Sequence, residues 1–135
     1  MVLVDSSVLI DFFRGRSTPA VRFLSEIEAS GEAAGWALPL VCLQEIIQGA
    51  KDEREWKLLR SALESQEIVG PVDPLAVHFE AARIFFDCRQ KGLTIRSSTD
   101  CLIAALALER GDVLLHDDAD FDTIAKVRPL RSIRG

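Results

Sequence analysis

Histidine and cysteine are scarce in this chain, and so are the motifs usually built from them. Only His78 and His116 are present, with three well-separated cysteines, Cys42, Cys88 and Cys101, and no CxxC pair. That excludes a typical zinc site and a disulfide framework. It is the cysteine usage of buried free thiols in a reducing cytoplasm. No Ser-His-Asp arrangement is credible with these two histidines, and the cysteines lack a histidine partner. Neither GxGxxG nor GxxxxGK[ST] occurs, so nucleotide binding by those loops is unsupported. No apolar run approaches the ~20 residues of a membrane span. Asp5 interrupts the apolar start and no basic residue precedes it, so a secretory signal is not expected. There is no repeat, low-complexity tract or linker.

What is present is one domain's worth of chain. The 135 residues are 48% hydrophobic and 27% charged, ample for a packed core without disulfide or structural metal. We read 1–135 as a single domain. Twenty-one acids against sixteen bases leave a net charge of −5. A protein that holds nucleic acid by charge alone should be basic. If this one handles nucleic acid, a metal must neutralise its acids locally. Twelve of the bases are arginines, the residue suited to bidentate contact with phosphate. Arg128, Arg131 and Arg134 close the chain, either as a solvated basic tail or as a binding one.

Hydrophobic spacing and helix-boundary residues predict alternating strands and helices. Val2 to Val4 reads as a buried strand, and Ser6 to Arg14 as a helix closed by Gly15. A helix from Pro19 to Ser30 follows, and Gly31 and Gly35 bracket a loop. Trp36 to Leu38 reads as a second strand. The helix from Pro39 to Gly49 is apolar almost all round, which predicts burial. Glu53 to Ser65 is a more polar helix, and Glu67 to Val72 a third strand. Asp73-Pro74 starts a helix to about Lys91. Ser98 to Arg110 is another, ended by Gly111. Val113 to His116 is a strand, and Phe121 to Val127 a short last helix. Such alternation implies an α/β fold with a mostly parallel sheet and helices on both faces. In that architecture the working crevice lies beyond the strands' carboxyl ends.

Acids stand at those ends. Val2 to Val4 runs into Asp5, and Val113 to His116 runs into Asp117, Asp118 and Asp120. Asp100 opens an otherwise apolar helix, and Glu45 is the one acid in the helix predicted to be buried. Each has a bland explanation. Asp5 could cap the helix at Ser6, and Ser97 with Asp100 approximates a capping box. Asp118 or Asp120 could cap the last helix, and Glu45 could pair with an arginine. Taken together, they suggest one cluster. Carboxylates that close repel and take up protons unless a cation intervenes. Oxygen ligands without His or Cys select Mg²⁺ or Mn²⁺ over zinc. His78 reads as a surface or core residue; His116 ends a strand beside the acids, where a supporting role is open.

Three stretches resemble PIN-domain ribonucleases: Val2-Leu3-Val4-Asp5-Ser6-Ser7, Ser97-Ser98-Thr99-Asp100-Cys101-Leu102-Ile103-Ala104, and Leu115-His116-Asp117-Asp118-Ala119-Asp120-Phe121. Throughout its length the chain is similar to VapC-type toxins of bacterial type II toxin–antitoxin pairs. The resemblance implies a PIN-like three-layer sandwich and a Mg²⁺- or Mn²⁺-dependent endoribonuclease that inhibits translation, with tRNA or rRNA as substrate candidates. It also implies a VapB-type antitoxin, a homodimer, and DNA contact only through the antitoxin. Carried over by position, Asp5, Asp100 and Asp118 are metal ligands and Glu45 completes the catalytic set. Asp120 is secondary, orienting the loop or a second metal's water, and Ser7 borders the site. The sequence departs at His116, where a Thr is frequent, at the extra Asp117, and at Val41 and Cys42, where a small hydroxyl residue is usual.

Arg14 and Arg96 are candidates to hold RNA, Arg96 being nearest Asp100 in sequence; surface ion pairs are the plain alternative. Phe12, Phe13, Phe23 and Leu24 either dock an antitoxin helix or belong to the core. An acid pocket would attract a basic antitoxin side chain. Two rival functions stay open. A receiver-like phosphoacceptor domain shares strand-end acids and Mg²⁺, but it needs a lysine just after a late strand, where this chain has acids. A catalytically inert PIN-fold binding module is the other.

Overall fold

Burial of short apolar strands dictates the architecture. The computed structural model describes residues 1–31 and 35–134, so the interior of the loop expected between Gly31 and Gly35 lies outside the described residues. Five strands form one parallel sheet: β1 (Val2–Val4), β2 (Trp36–Pro39), β3 (Ile68–Val69), β4 (Val113–His116) and β5 (Ser132–Arg134), in the order β3-β2-β1-β4-β5. Leu3, Val4, Ala37, Leu38, Leu114 and Leu115 are completely buried, as expected of parallel strands covered on both faces. The helices are α1 (Ser6–Phe13), α2 (Pro19–Ser30), α3 (Leu40–Ile47), α4 (Glu53–Glu64), α5 (Pro74–Gln90), α6 (Ser98–Arg110) and α7 (Ala119–Ile124). One group packs α1 with α2 and α3, and α3 with α4; another packs α5 with α6 and α7.

The chain adds β2 and β3 on one side of β1, then crosses to place β4 and β5 on the other. That reversal is the topological switch point, where the loops leaving two adjacent strands part and open a crevice. The loops leaving β1 and β4 meet there. Local chemistry sharpens the helix starts. Thr18 accepts the Val21 amide ahead of Pro19, and Asp73 accepts that of Ala76 ahead of Pro74. Gly111 ends α6 at φ 69°, a left-handed turn that lets the chain drop into β4.

Several expectations need correcting. Pro39 ends β2 and precedes α3 rather than opening the helix, and α3 is only half sunk. Cys42 and Ile46 are buried, but Leu40 is largely exposed, so the apolar composition overstated its burial. The third strand shrinks to two residues, and α7 runs earlier, from Ala119 to Ile124. The basic tail is built into the sheet, although Arg131 and Arg134 stay exposed. Its Ser132-Ile133-Arg134 pairs with β4, a strand that one apolar residue could not announce. Arg128 is held by Glu80 at 2.8 Å and Asp87 at 2.9 Å, and Arg131 bonds the Gly111 carbonyl. Phe12 and Phe13 are partly exposed and Leu24 is core, so that face divides between the two expectations.

Candidate active site

Strand ends and helix starts bring the acids together. Asp5 follows β1 and caps α1, its Oδ2 accepting the Ser7 amide at 3.1 Å and the Ser7 hydroxyl at 2.5 Å. The Asp5 amide donates to the Leu115 carbonyl of β4 at 3.0 Å, so the neighbouring strand fixes its backbone. Asp118 follows β4 and caps α7 through the Asp120 amide at 2.9 Å. Asp100 sits in the first turn of α6, and Glu45 projects from α3. The expected capping box is not formed, since the Ser97 side chain makes no cap bond.

Carboxylate oxygens of Asp100, Asp118 and Asp120 lie within 4.8 Å of one another. Asp5 and Glu45 stand outside that tight group but within its electrostatic reach. Asp5 is 2% and Asp100 5% exposed. Burial raises Asp100, and the charge of Asp5, a side-chain hydrogen bond with Asp120 and the charge of Asp118 add to it, reaching about 9. Burial also raises Asp5, against the pull of Ser7, and Asp118 raises it further. Glu45 is raised by burial and then by Asp5, with Ser6 opposing. Asp100 Oδ2 and Glu45 Oε1 are buried with no hydrogen-bond partner, and no arginine is among the charges that shift Glu45. Unpartnered buried carboxylate oxygens facing like charges are the setting a hard divalent cation relieves. The donor set fits such an ion: it is oxygen throughout, and neither histidine contributes. His78 is exposed on α5.

Asp120 differs from the others. Burial works to raise it, yet the Ser97 and Arg96 amides, the Asp100 hydrogen bond and the Arg96 charge together hold it below the usual carboxylate range. Its two oxygens accept Arg96 N–H at 3.1 and 3.2 Å, and Oδ2 accepts Ser97 N–H at 2.9 Å. It therefore fixes the approach to α6, and with it Asp100. Asp117 turns away, its Oδ1 lying 3.6 Å from Arg134 Nε.

Two supports were missed or left open by sequence reasoning, and a third, Ser7, was expected only to border the site. His116, completely buried, accepts the Asp118 amide on Nδ1 at 3.3 Å. Burial lowers its pKa, keeping the ring neutral and able to accept. Cys42 Sγ lies 3.9 Å from Asp5 Oδ1, the place where a hydroxyl was expected. It stands one helical turn before Glu45, a spacing that already puts both on one face. Ser7 Oγ also accepts the Asp117 amide at 3.2 Å, linking the loops after β1 and β4. The structure brings Arg96 to the acids, at 3.7 Å from both Asp118 and Asp120. Arg14 instead borders a groove between α1, α3 and α4.

Comparison with known proteins bears on the family and the fold. Residues 2–127 match the PIN domain. Ribonuclease VapC11 of Mycobacterium tuberculosis is 36% identical over 137 residues, covering 98% of this chain and 97% of that protein. Ribonuclease VapC51 of the same species is 36% identical over 129 residues, covering 93% and 85%. Among solved structures, VapBC-1 from nontypeable Haemophilus influenzae superposes with a TM-score of 0.75 at 17% identity, covering 99% of this chain and 98% of that one. A DNA-bound VapBC from Salmonella typhimurium gives 0.73 at 17%, covering 98% and 96%.

Proposed function

The chain belongs to the PIN-domain family, among its VapC ribonucleases, and from that premise we propose that it hydrolyses RNA phosphodiester bonds at the acid pocket with Mg²⁺ or Mn²⁺. The observation that carries this reading is Asp100, which offers a carboxylate oxygen within 4.8 Å of those of Asp118 and Asp120 and whose Oδ2 is buried and unpartnered, at the carboxyl edge of a parallel sheet. Residues 1–135 act as one PIN-like domain.

Asp5, Asp100 and Asp118 would hold the cation, with Asp120 beside them committed to the loop. When bound, such an ion neutralises charge on the phosphate and acidifies nearby water. The chain's own groups do the rest. Ser7 and Cys42 aim the two oxygens of Asp5. His116 and Asp120 set the Asp118 loop and the start of α6. Glu45, its proton affinity raised and Oε1 unbonded, takes the proton from the attacking water. The lysine a phosphoacceptor domain needs after its late strand is not there, since acids follow His116.

The chain acts as the toxin of a VapBC-type pair in the cytoplasm, silenced by a VapB-type antitoxin and meeting DNA only through it. Solved relatives being VapBC complexes supports the partner. A groove of about 770 Å³ lined by Ile10, Phe13, Ile46, Leu58 and Leu59 offers an apolar helix a seat. A basic antitoxin side chain would suit the acid pocket. The chain forms a homodimer. Among the described residues no helix is long and apolar enough to cross a membrane.

The test is direct. Purified chain is incubated with structured RNA such as tRNA or rRNA and Mn²⁺ or Mg²⁺, with and without chelator, beside Asp5→Ala and Asp100→Ala. Cleavage lost on chelation and in both variants supports the nuclease. Phosphorylation by a small phosphodonor without RNA cleavage replaces it with the receiver. A folded, inert chain that still binds antitoxin replaces it with the binding module.

A further inference from the structure

Arg96 is fixed at one end and free at the other. Its amide is locked onto both oxygens of Asp120, at 3.1 and 3.2 Å. Its side chain is 73% exposed and reaches back over the pocket, 3.7 Å from Asp118 Oδ1 through Nη2 and 3.7 Å from Asp120 Oδ1 through Nε. Those separations give a charge contact without a side-chain hydrogen bond. Arginines of the C-terminal segment are engaged more closely. Arg134 is bonded to Asp122, and Arg128 is clamped between Glu80 and Asp87. Among the described residues, Arg96 is a cation loosely held beside Asp118 and Asp120, in a chain that carries −5 overall.

We propose that Arg96 is an exchangeable counter-ion: it covers Asp118 and Asp120 while the pocket holds no divalent cation, and turns its guanidinium to a backbone phosphate of the RNA when one binds. The proposal rests on the nuclease reading for its substrate. The physics follows from charge. A divalent ion among the acids repels the guanidinium, which has no bond to give up there. A polyanion arriving above the ion offers a planar fork two oxygens. The backbone anchor on Asp120 keeps the arm at the mouth in both states. Ion and arginine therefore compete in the free protein and cooperate once RNA is present.

The experiment uses Arg96→Gln and Arg96→Lys in the full chain. Both keep the amide that Asp120 holds, and the exposed side chain leaves folding intact. Mn²⁺ binding is measured calorimetrically without RNA. Binding of a fluorescent mixed-sequence oligoribonucleotide is measured with Ca²⁺ present across a KCl series, with Arg83→Gln as the distant control. In Arg96→Gln, Mn²⁺ should bind about two- to fivefold tighter, the scale of an exposed ion pair. RNA should bind about tenfold weaker, and the salt slope should fall by about one. Arg96→Lys should restore the slope but only part of the affinity, and Arg83→Gln should change neither. Unchanged or weaker Mn²⁺ binding in Arg96→Gln overturns the competition, and an unchanged salt slope overturns the phosphate contact. Both readouts involve binding alone. A wild-type chain that binds Mn²⁺ and RNA yet cuts none sinks the nuclease reading separately.

Discussion

The Ser7 hydroxyl lies 2.5 Å from Asp5 Oδ2 and also accepts the Asp117 amide at 3.2 Å, so one side chain ties the β1 acid to the loop carrying Asp118. Partners that orient metal ligands matter nearly as much as the ligands themselves. Ser7→Ala removes both bonds and leaves the Asp117 amide unpaired. We expect a stability loss of about 1–3 kcal/mol by urea denaturation. Mn²⁺ affinity should fall about 10- to 100-fold, and Ser7→Thr should recover most of both. Unaltered Mn²⁺ binding in Ser7→Ala would show that Asp5 needs no such support.

Glu45 separates proton transfer from ion binding. Its carboxyl is raised by burial and Asp5, and Oε1 has no partner. Glu45→Gln keeps the shape and removes the base. RNA cleavage should drop by about 10²- to 10⁴-fold while Mn²⁺ affinity changes only severalfold. If Mn²⁺ binding instead collapses as far as in Asp100→Asn, Glu45 is a ligand and the base lies elsewhere.

How much of this was legible depends on what carries the information. The strand ending in Asp5 and the one ending near Asp118 are continuous apolar runs closed by acid, as doubly covered parallel strands are. Asp100 stood out because an acid in an apolar helix is costly unless compensated. Three-dimensional neighbours were not legible. Nothing local reveals that Arg96 and Ser97 donate their amides to Asp120, more than twenty residues away. Nor could Ser132-Ile133-Arg134 announce a strand, because pairing with β4 makes it one. The half-exposed α3 shows the converse error, in which apolar residues were taken for burial.

Asp120 acts on stability in the opposite sense to its neighbours. Its carboxyl is held below the usual range despite burial, mainly by the Ser97 and Arg96 amides. Its contribution is therefore complete above the ordinary carboxylate range and is lost as pH falls through its folded value. Asp120→Ala orphans two amides and should cost about 1–3 kcal/mol at pH 7. The difference from wild type should narrow in acid. Acid titration monitored by circular dichroism gives both numbers, and a pH-independent difference would mean that the carboxylate charge is not what holds the loop.

Asp100 sets the alkaline side. Without a cation its folded pKa is about 9, against 3.8 ordinarily, with burial the largest cause and Asp5 the next. A raised carboxyl binds a proton in the folded state that the unfolded chain has released. Between the two values the folded state therefore loses stability as pH rises, by up to about 1.4 kcal/mol per pH unit. His116 works against this in acid: its lowered pKa means stability falls as pH drops below 6.5. From about pH 6.5 to 9 that opposition is spent and the acids dominate. Cation-free protein should then melt at steadily lower temperature as pH rises, and Asp100→Asn should be more stable, with a shallower slope left to Asp5 and Glu45. Saturating Mn²⁺ should reverse the wild-type slope, because the ion favours the ionised carboxylates and binds only the folded pocket. A wild-type melting temperature that is flat from pH 6.5 to 9 without cation would mean the pocket acids are already relieved by protein groups, and the need for a metal would disappear with the slope.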